Sequence, residues 1–191
     1  MIIILIVLVV ILVYFWSIYN QFVTIKTRIK ASIQEIGNQL KRQADLIPNL
    51  VASVKGYMKH EKEIFDEITE ARKMVEGVAE STNSQKVIEA SDRMQKALGP
   101  IRAIFESTPA LQAAGPTQSL MNELRDTADK VMYSRRTLID LTADYNTRLA
   151  VFPSNLIGKM FGFTPEAGLS MASTEDIKVS AEEMKTPKVD L

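Results

Sequence analysis

The chain has 191 residues, 23 basic and 23 acidic side chains, one histidine and no cysteine. Neutral overall charge gives no reason to expect a nucleic-acid partner, and the absence of thiols excludes disulfide staples and thiolate metal sites. What stands out instead is a concentration of apolar residues at one end.

From Ile2 to Trp16 the side chains are apolar for fifteen residues, and Ser17, Ile18 and Tyr19 then lead into a basic, helix-patterned segment. A hydrocarbon core of about 30 Å takes roughly 20 apolar residues in a helix, so Ile2 to Tyr19 is just long enough to span. Ile2, Leu5, Val9, Leu12, Phe15 and Trp16 mark the expected span. A cleaved secretory signal would carry a basic n-region and small residues at its end. Here no Lys or Arg precedes the run, which closes on Tyr14, Phe15, Trp16 and Tyr19, an interfacial aromatic belt. Residues 1–20 are therefore expected to form an uncleaved single-pass anchor in the cell membrane. Lys26, Arg28 and Lys30 follow before the first acid, Glu35. The positive-inside rule then puts the N-terminus outside and the body in the cytoplasm.

Between Thr24 and Glu80 the apolar positions Ile29, Ile33, Ile36, Leu40, Ile47, Leu50, Val54, Tyr57, Ile64, Ile68, Ala71, Val75 and Val78 follow a three-four spacing, with Gln43 and Glu61 at the two vacant steps. This is the seam of a helix packed on other helices. Pro48 interrupts it and has two readings: a kink inside one helix, or a second helix capped by Asp45 after a chain reversal near Lys41 to Asp45. The pattern resumes after the polar break Ser81 to Ser84, at Val87, Ala90, Met94, Leu98, Ile101 and Phe105, and ends at Pro109, Gly115 and Pro116. Thr117 or Ser119 is placed to cap a last long helix with Leu120, Leu124, Val131, Leu138, Leu141, Tyr145 and Leu149 on its inner face, stopping at Pro153.

Phe152, Leu156, Met160 and Phe163 then recur at helical spacing around Lys159, a short amphipathic element suited either to the membrane surface or to the base of the bundle. The stretch 164–191 has no periodicity and is expected to be a disordered tail. The fold class is all-α: one N-terminal transmembrane helix followed, over residues 21–163, by an elongated up-and-down bundle.

KRQADLIPNLV at Lys41 to Val51, followed by VKGYMKHEKE at Val54 to Glu63, resembles the LemA family. The resemblance extends through Thr69-Glu70-Ala71-Arg72, Pro109-Ala110-Leu111, Tyr145-Asn146, Phe152-Pro153-Ser154-Asn155-Leu156-Ile157 and Phe161-Gly162-Phe163. Its most specific part is Asp45, Leu46, Ile47, Pro48, Asn49 and Leu50. It implies a membrane-anchored antiparallel four-helix bundle, a reversal near Pro48, and no particular activity. Gly37 stands where the family usually has Asp, Gln43 replaces a second Arg, Leu138-Ile139 replace a Tyr-Asn pair, and Ala128 sits where Glu is usual. Roles tied to those polar groups do not carry over.

No catalytic or metal-binding set is discernible. His60-Glu61 lacks the second histidine of a zinc helix, no Glu-x-x-His pair exists for a di-iron bundle, and no Gly-rich phosphate loop is present. The expectation is a non-enzymatic protein without cofactors that scaffolds or recruits still unnamed protein partners at the inner membrane. Its alternatives are a lipid-binding or membrane-shaping role and an accessory subunit of a membrane protease or envelope complex. The span has no Gly or Ala for a small-xxx-small contact, so any homo-oligomer would form through the bundle.

Overall fold

The computed structural model describes residues 1–57 and 61–167. Helix α1 covers Ile2–Val54, a rod of about 80 Å at 1.5 Å per residue, and a 3₁₀ turn at Lys55–Tyr57 follows it. The other helices are α2 (Glu61–Val78), α3 (Ser84–Ser107), α4 (Pro109–Ala113), α5 (Gly115–Ala150) and α6 (Ser154–Met160). No strand occurs among the described residues.

Helix α1 divides by burial rather than by any break in its backbone. Its apolar first part is exposed, and its most apolar window has a mean hydropathy of 3.0 with 6% of it buried. So little burial sets it apart from a core helix of similar composition. From Ile18 onward a buried seam runs through Phe22, Ile25, Ile29, Ile33, Ile36, Leu40, Gln43, Ile47, Leu50 and Val54. Each fully buried large aliphatic side chain on it contributes about 1.5–3 kcal/mol. Tyr57, expected on this seam, is exposed, because the helix ends at Val54 and the 3₁₀ turn changes its phase.

Pro48 lies inside α1, and the reversal expected at that point does not occur there. Helix α1 continues through it to Val54, and α2 begins at Glu61. A proline in a helix interior costs about 3 kcal/mol when its ring and the lost hydrogen bond are both uncompensated. Here the ring is on the exposed side, while Ile47 and Leu50 beside it are fully buried and hold the helix in register. Asp45 is accordingly an exposed mid-helix residue and caps nothing.

Helix α3 begins at a true cap. The Asn83 side chain accepts from the Lys86 amide at 3.1 Å, and the Ser81 hydroxyl accepts from the Asn83 amide at 3.1 Å. It continues through Pro100. The segment after Thr108 is not plain loop but the single turn of α4, with Pro109 in its first turn. Neither Thr117 nor Ser119 caps α5: Ala114 occupies the cap position, Pro116 lies in the first turn, and Thr117 is buried. The inner face of α5 includes Met121, Thr127 and Ser134 between the expected Leu124, Val131, Leu138, Leu141 and Tyr145. Small polar side chains complete a three-four seam that apolar residues alone leave discontinuous.

Helix α1 packs most extensively on α5 and also touches α2, α3 and α6, while α2 packs chiefly on α3. Polar pairs mark the register. On α1, Gln21 accepts from Arg148 of α5 and Arg42 pairs with Glu123 at 2.7 Å, so residue numbers rise along one helix as they fall along the other. Arg93 of α3 reaches Glu70 of α2 at 2.7 Å, and Arg135 of α5 reaches Asp92 of α3 at 2.6 Å. These pairs are substantially exposed, so each is worth at most about 1 kcal/mol and the apolar seams carry the stability.

Candidate functional site

The end of the helical body next to the apolar run gathers most of the residues singled out by the sequence. Tyr145, on the last turns of α5, is fully buried and meets Phe22 of α1 edge-on, with ring centroids 5.7 Å apart. Phe163 stacks on the same Phe22 at 5.0 Å with planes 24° apart, and Tyr19 packs against Phe161 at 4.8 Å and Phe163 at 5.7 Å. Five aromatic rings thus tie α1, α5 and the C-terminal segment together where α1 leaves its exposed apolar stretch.

Polar groups close the same corner. Asn146 donates to the Glu166 carbonyl at 2.9 Å and accepts from the Glu166 amide at 3.0 Å, a two-bond clasp on backbone outside any helix. The Glu166 carboxylate also lies 3.3 Å from Lys26 of α1. Ordered contacts therefore reach Glu166, beyond the expected bundle end at Phe163, while residues 168–191 of the expected tail lie outside the described residues. Burial raises the Tyr145 phenol above its ordinary value; nearby Lys26 acts against this shift and Glu166 adds to it.

Helix α6 is set on α5 by Ser154, whose hydroxyl donates to the Arg148 carbonyl at 2.6 Å, after a cis Phe152-Pro153 peptide. Ile157 and Gly158 face inward, and a Cβ on Gly158 would come within 2.6 Å of a Leu149 methyl. Phe152, Leu156 and Met160 remain on the outer face. Phe163, expected on that stripe, does not belong to it: the helix ends at Met160, Gly162 turns the chain with a φ of 70°, and the Phe163 ring swings inward.

The other cluster, Asp45 to Leu50, stays apart from this corner. Ile47 and Leu50 are core, Leu46 is partly buried, and Pro48 and Asn49 are exposed. Asp45 borders a shallow groove of about 640 Å³ with Lys41, Arg72, Glu76 and Glu80, whose mixed signs favour no particular ligand. A second groove of about 530 Å³ between α3 and α5 holds Arg102, Arg135 and Arg136, of which Arg135 is paired with Asp92 and Arg102 donates to Gln95 at 3.0 Å. Among the described residues no trio of His, Asp or Glu is placed to hold a metal ion, and His60 lies outside them.

Sequence reasoning places Tyr145, Asn146 and Phe152 near a helix end but does not foresee that Tyr19, Phe22, Phe161 and Glu166 converge on them. The aromatic recurrence at Tyr19, Phe22, Phe161 and Phe163 is a visible signal in hindsight. Glu166 sits in a stretch without periodicity and offers none.

These features define an all-helical protein whose first helix carries an exposed apolar stretch long enough to cross a bilayer. The chain belongs to the LemA family, whose sequence profile matches residues 32–189. It is also similar to magnetosome protein MamQ of Magnetospirillum gryphiswaldense, at 23% identity over 168 residues, which cover 76% of this chain and 62% of that protein. The chain thus matches less than two thirds of that relative's length.

Proposed function

We propose that this LemA-family chain is a membrane-anchored scaffold: an antiparallel four-helix bundle that recruits or organises protein partners at the inner membrane without catalysing a reaction. The observation that carries this reading is the continuity of α1 from Ile2 to Val54. One helix is both the apolar run and the central element of the body, so the anchor presents the bundle at a fixed stance rather than on a flexible tether. The opposed numbering of α1 and α5 in the Gln21–Arg148 and Arg42–Glu123 pairs supports the antiparallel arrangement. Lys26, Arg28 and Lys30 favour a cytoplasmic body with the N-terminus outside. One histidine and no cysteine leave few groups for nucleophilic or metal chemistry.

Photo-crosslinking amino acids at Met132 and Tyr133, both exposed on α5, test the scaffold reading in living cells, with Val9 in the apolar run as comparison. Discrete protein adducts are expected at the α5 positions and should persist when Lys26, Arg28 and Lys30 are neutralised. Adducts confined to lipid, or abolished by that neutralisation, would overturn the scaffold in favour of a lipid-binding role.

A further inference from the structure

Helix α6 has an inner face held in place by the bundle and an outer face that none of the other described residues covers. Ile157 is 1% exposed, whereas Phe152 is 78%, Leu156 54%, Met160 61% and Phe161 52% exposed. Leu156 and Met160 lie four residues apart on one face of α6, and exposed Phe152 and Phe161 flank the helix at its two ends. Large apolar side chains grouped in this way differ from the singly scattered ones that any surface carries.

Its position identifies the occupant. Gly158 packs beside Phe22, and Phe161 packs on Tyr19 at 4.8 Å, so α6 is fixed level with the first buried turns of α1. Tyr14 and Trp16, which lie within the preceding turns of the same helix, are exposed. The outer face of α6 therefore continues the belt of exposed aromatic residues at the end of the apolar run. Charge agrees: no acidic side chain lies between Ala150 and Phe163, and exposed Lys159 ends the helix. Glu166, the next acid, is turned to Lys26. An apolar face with a basic side chain and no acids suits the boundary between headgroups and acyl chains.

We propose that α6 is an interfacial foot: Phe152, Leu156, Met160 and Phe161 insert into the headgroup–acyl boundary of the bilayer that α1 crosses, and Lys159 reaches the phosphates. With two attachment points beside each other, the bundle is held against tilting about the span. The foot rests on the anchoring reading of α1, and its test separates the two.

The chain has no cysteine, so single spin labels can be placed in the full-length protein by Leu156→Cys and Met160→Cys, with Val9→Cys as a hydrocarbon reference and Met132→Cys as an aqueous one. All four positions are exposed, so labelling leaves the core intact. In vesicles of phosphatidylcholine and phosphatidylglycerol in equal parts, relaxation by dissolved oxygen and by a water-soluble nickel chelate reports depth. The expected result is a several-fold higher oxygen-to-nickel ratio at 156 and 160 than at 132, and a higher one still at 9. A high ratio at 9 with 156 and 160 equal to 132 would overturn the foot and leave the anchor standing. A ratio at 9 equal to that at 132 would overturn both. Shielding of 156 and 160 from oxygen and nickel alike would mean that protein covers the face, and would also overturn the foot.

Discussion

The backbone oxygen of Ala79 lies 2.9 Å from where a Cβ on Gly37 would stand. The end of α2 crosses α1 there by backbone contact, and the neighbouring atom is a carbonyl that no rotamer change can move. Gly37→Ala should therefore destabilise the protein by about 1–3 kcal/mol, the range for overpacking, although alanine improves helix propensity by about 1 kcal/mol. Thermal unfolding followed by circular dichroism measures the difference, and a rise in midpoint would contradict this account of the contact. Gly158→Ala is the natural comparison: its close neighbour is the end of the Leu149 side chain, so a smaller loss is expected.

Gln43 is fully buried on the α1 seam, and neither atom of its amide group has a hydrogen-bond partner among the described residues. An unanswered buried amide costs about 1–3 kcal/mol. Gln43→Met keeps the length of the side chain and removes the polar group. Chemical denaturation should show a gain of about 1–2 kcal/mol. A loss would mean that the amide is satisfied in solution.

The hydroxyl of buried Tyr145 has no hydrogen-bond partner among the described residues, and burial raises its ionisation above the ordinary value near 10. A raised pKa in the folded state means that the unfolded chain gives up this proton first. The resulting stability is fully present below the unfolded value and is lost as pH rises through the folded one. Tyr145→Phe should change stability at pH 7 by less than about 1 kcal/mol. Above pH 10 the variant should lose stability less steeply than the parent, which paired denaturation curves at several pH values would show.

Asn146 holds both backbone groups of Glu166. Asn146→Ala removes the clasp without touching the aromatic cluster. Hydrogen exchange at the Glu166 amide should then accelerate by about tenfold, equivalent to about 1.4 kcal/mol, while the protection of α1 and α5 core amides is retained. Uniform acceleration across the helical body would assign Asn146 a global role instead.

Long apolar periodicity is legible wherever burial alone decides it. The seam from Ile29 to Val54 and the inner faces of α3 and α5 follow from spacing, because a residue facing three neighbouring helices has little choice but to be apolar or small. What spacing does not reveal are the places where backbone context competes with local preference. Pro48 reads equally as a kink or a reversal, and the outcome depends on Ile47 and Leu50 being buried on either side of it. Thr117 looks like a cap, yet Pro116 already serves in the first turn and frees Thr117 to be buried. Phe163 keeps the rhythm of Phe152, Leu156 and Met160, but the helix carrying that rhythm ends before it. The candidate site was legible in its parts and not in its assembly, since contacts such as Asn146 with Glu166 join segments that share no periodicity.

Because α1 is unbroken, whatever precedes Ile18 is geared to whatever follows it. One residue inserted after Ser17 would turn the body by about 100° and displace it by about 1.5 Å, whereas seven inserted residues would nearly restore its facing, with a drift of about 20° over two turns, while displacing it by about 10 Å. Angle and depth of the helical body are thus two separately adjustable coordinates of a single rod, and the proposed contact of α6 with a bilayer requires both to be right.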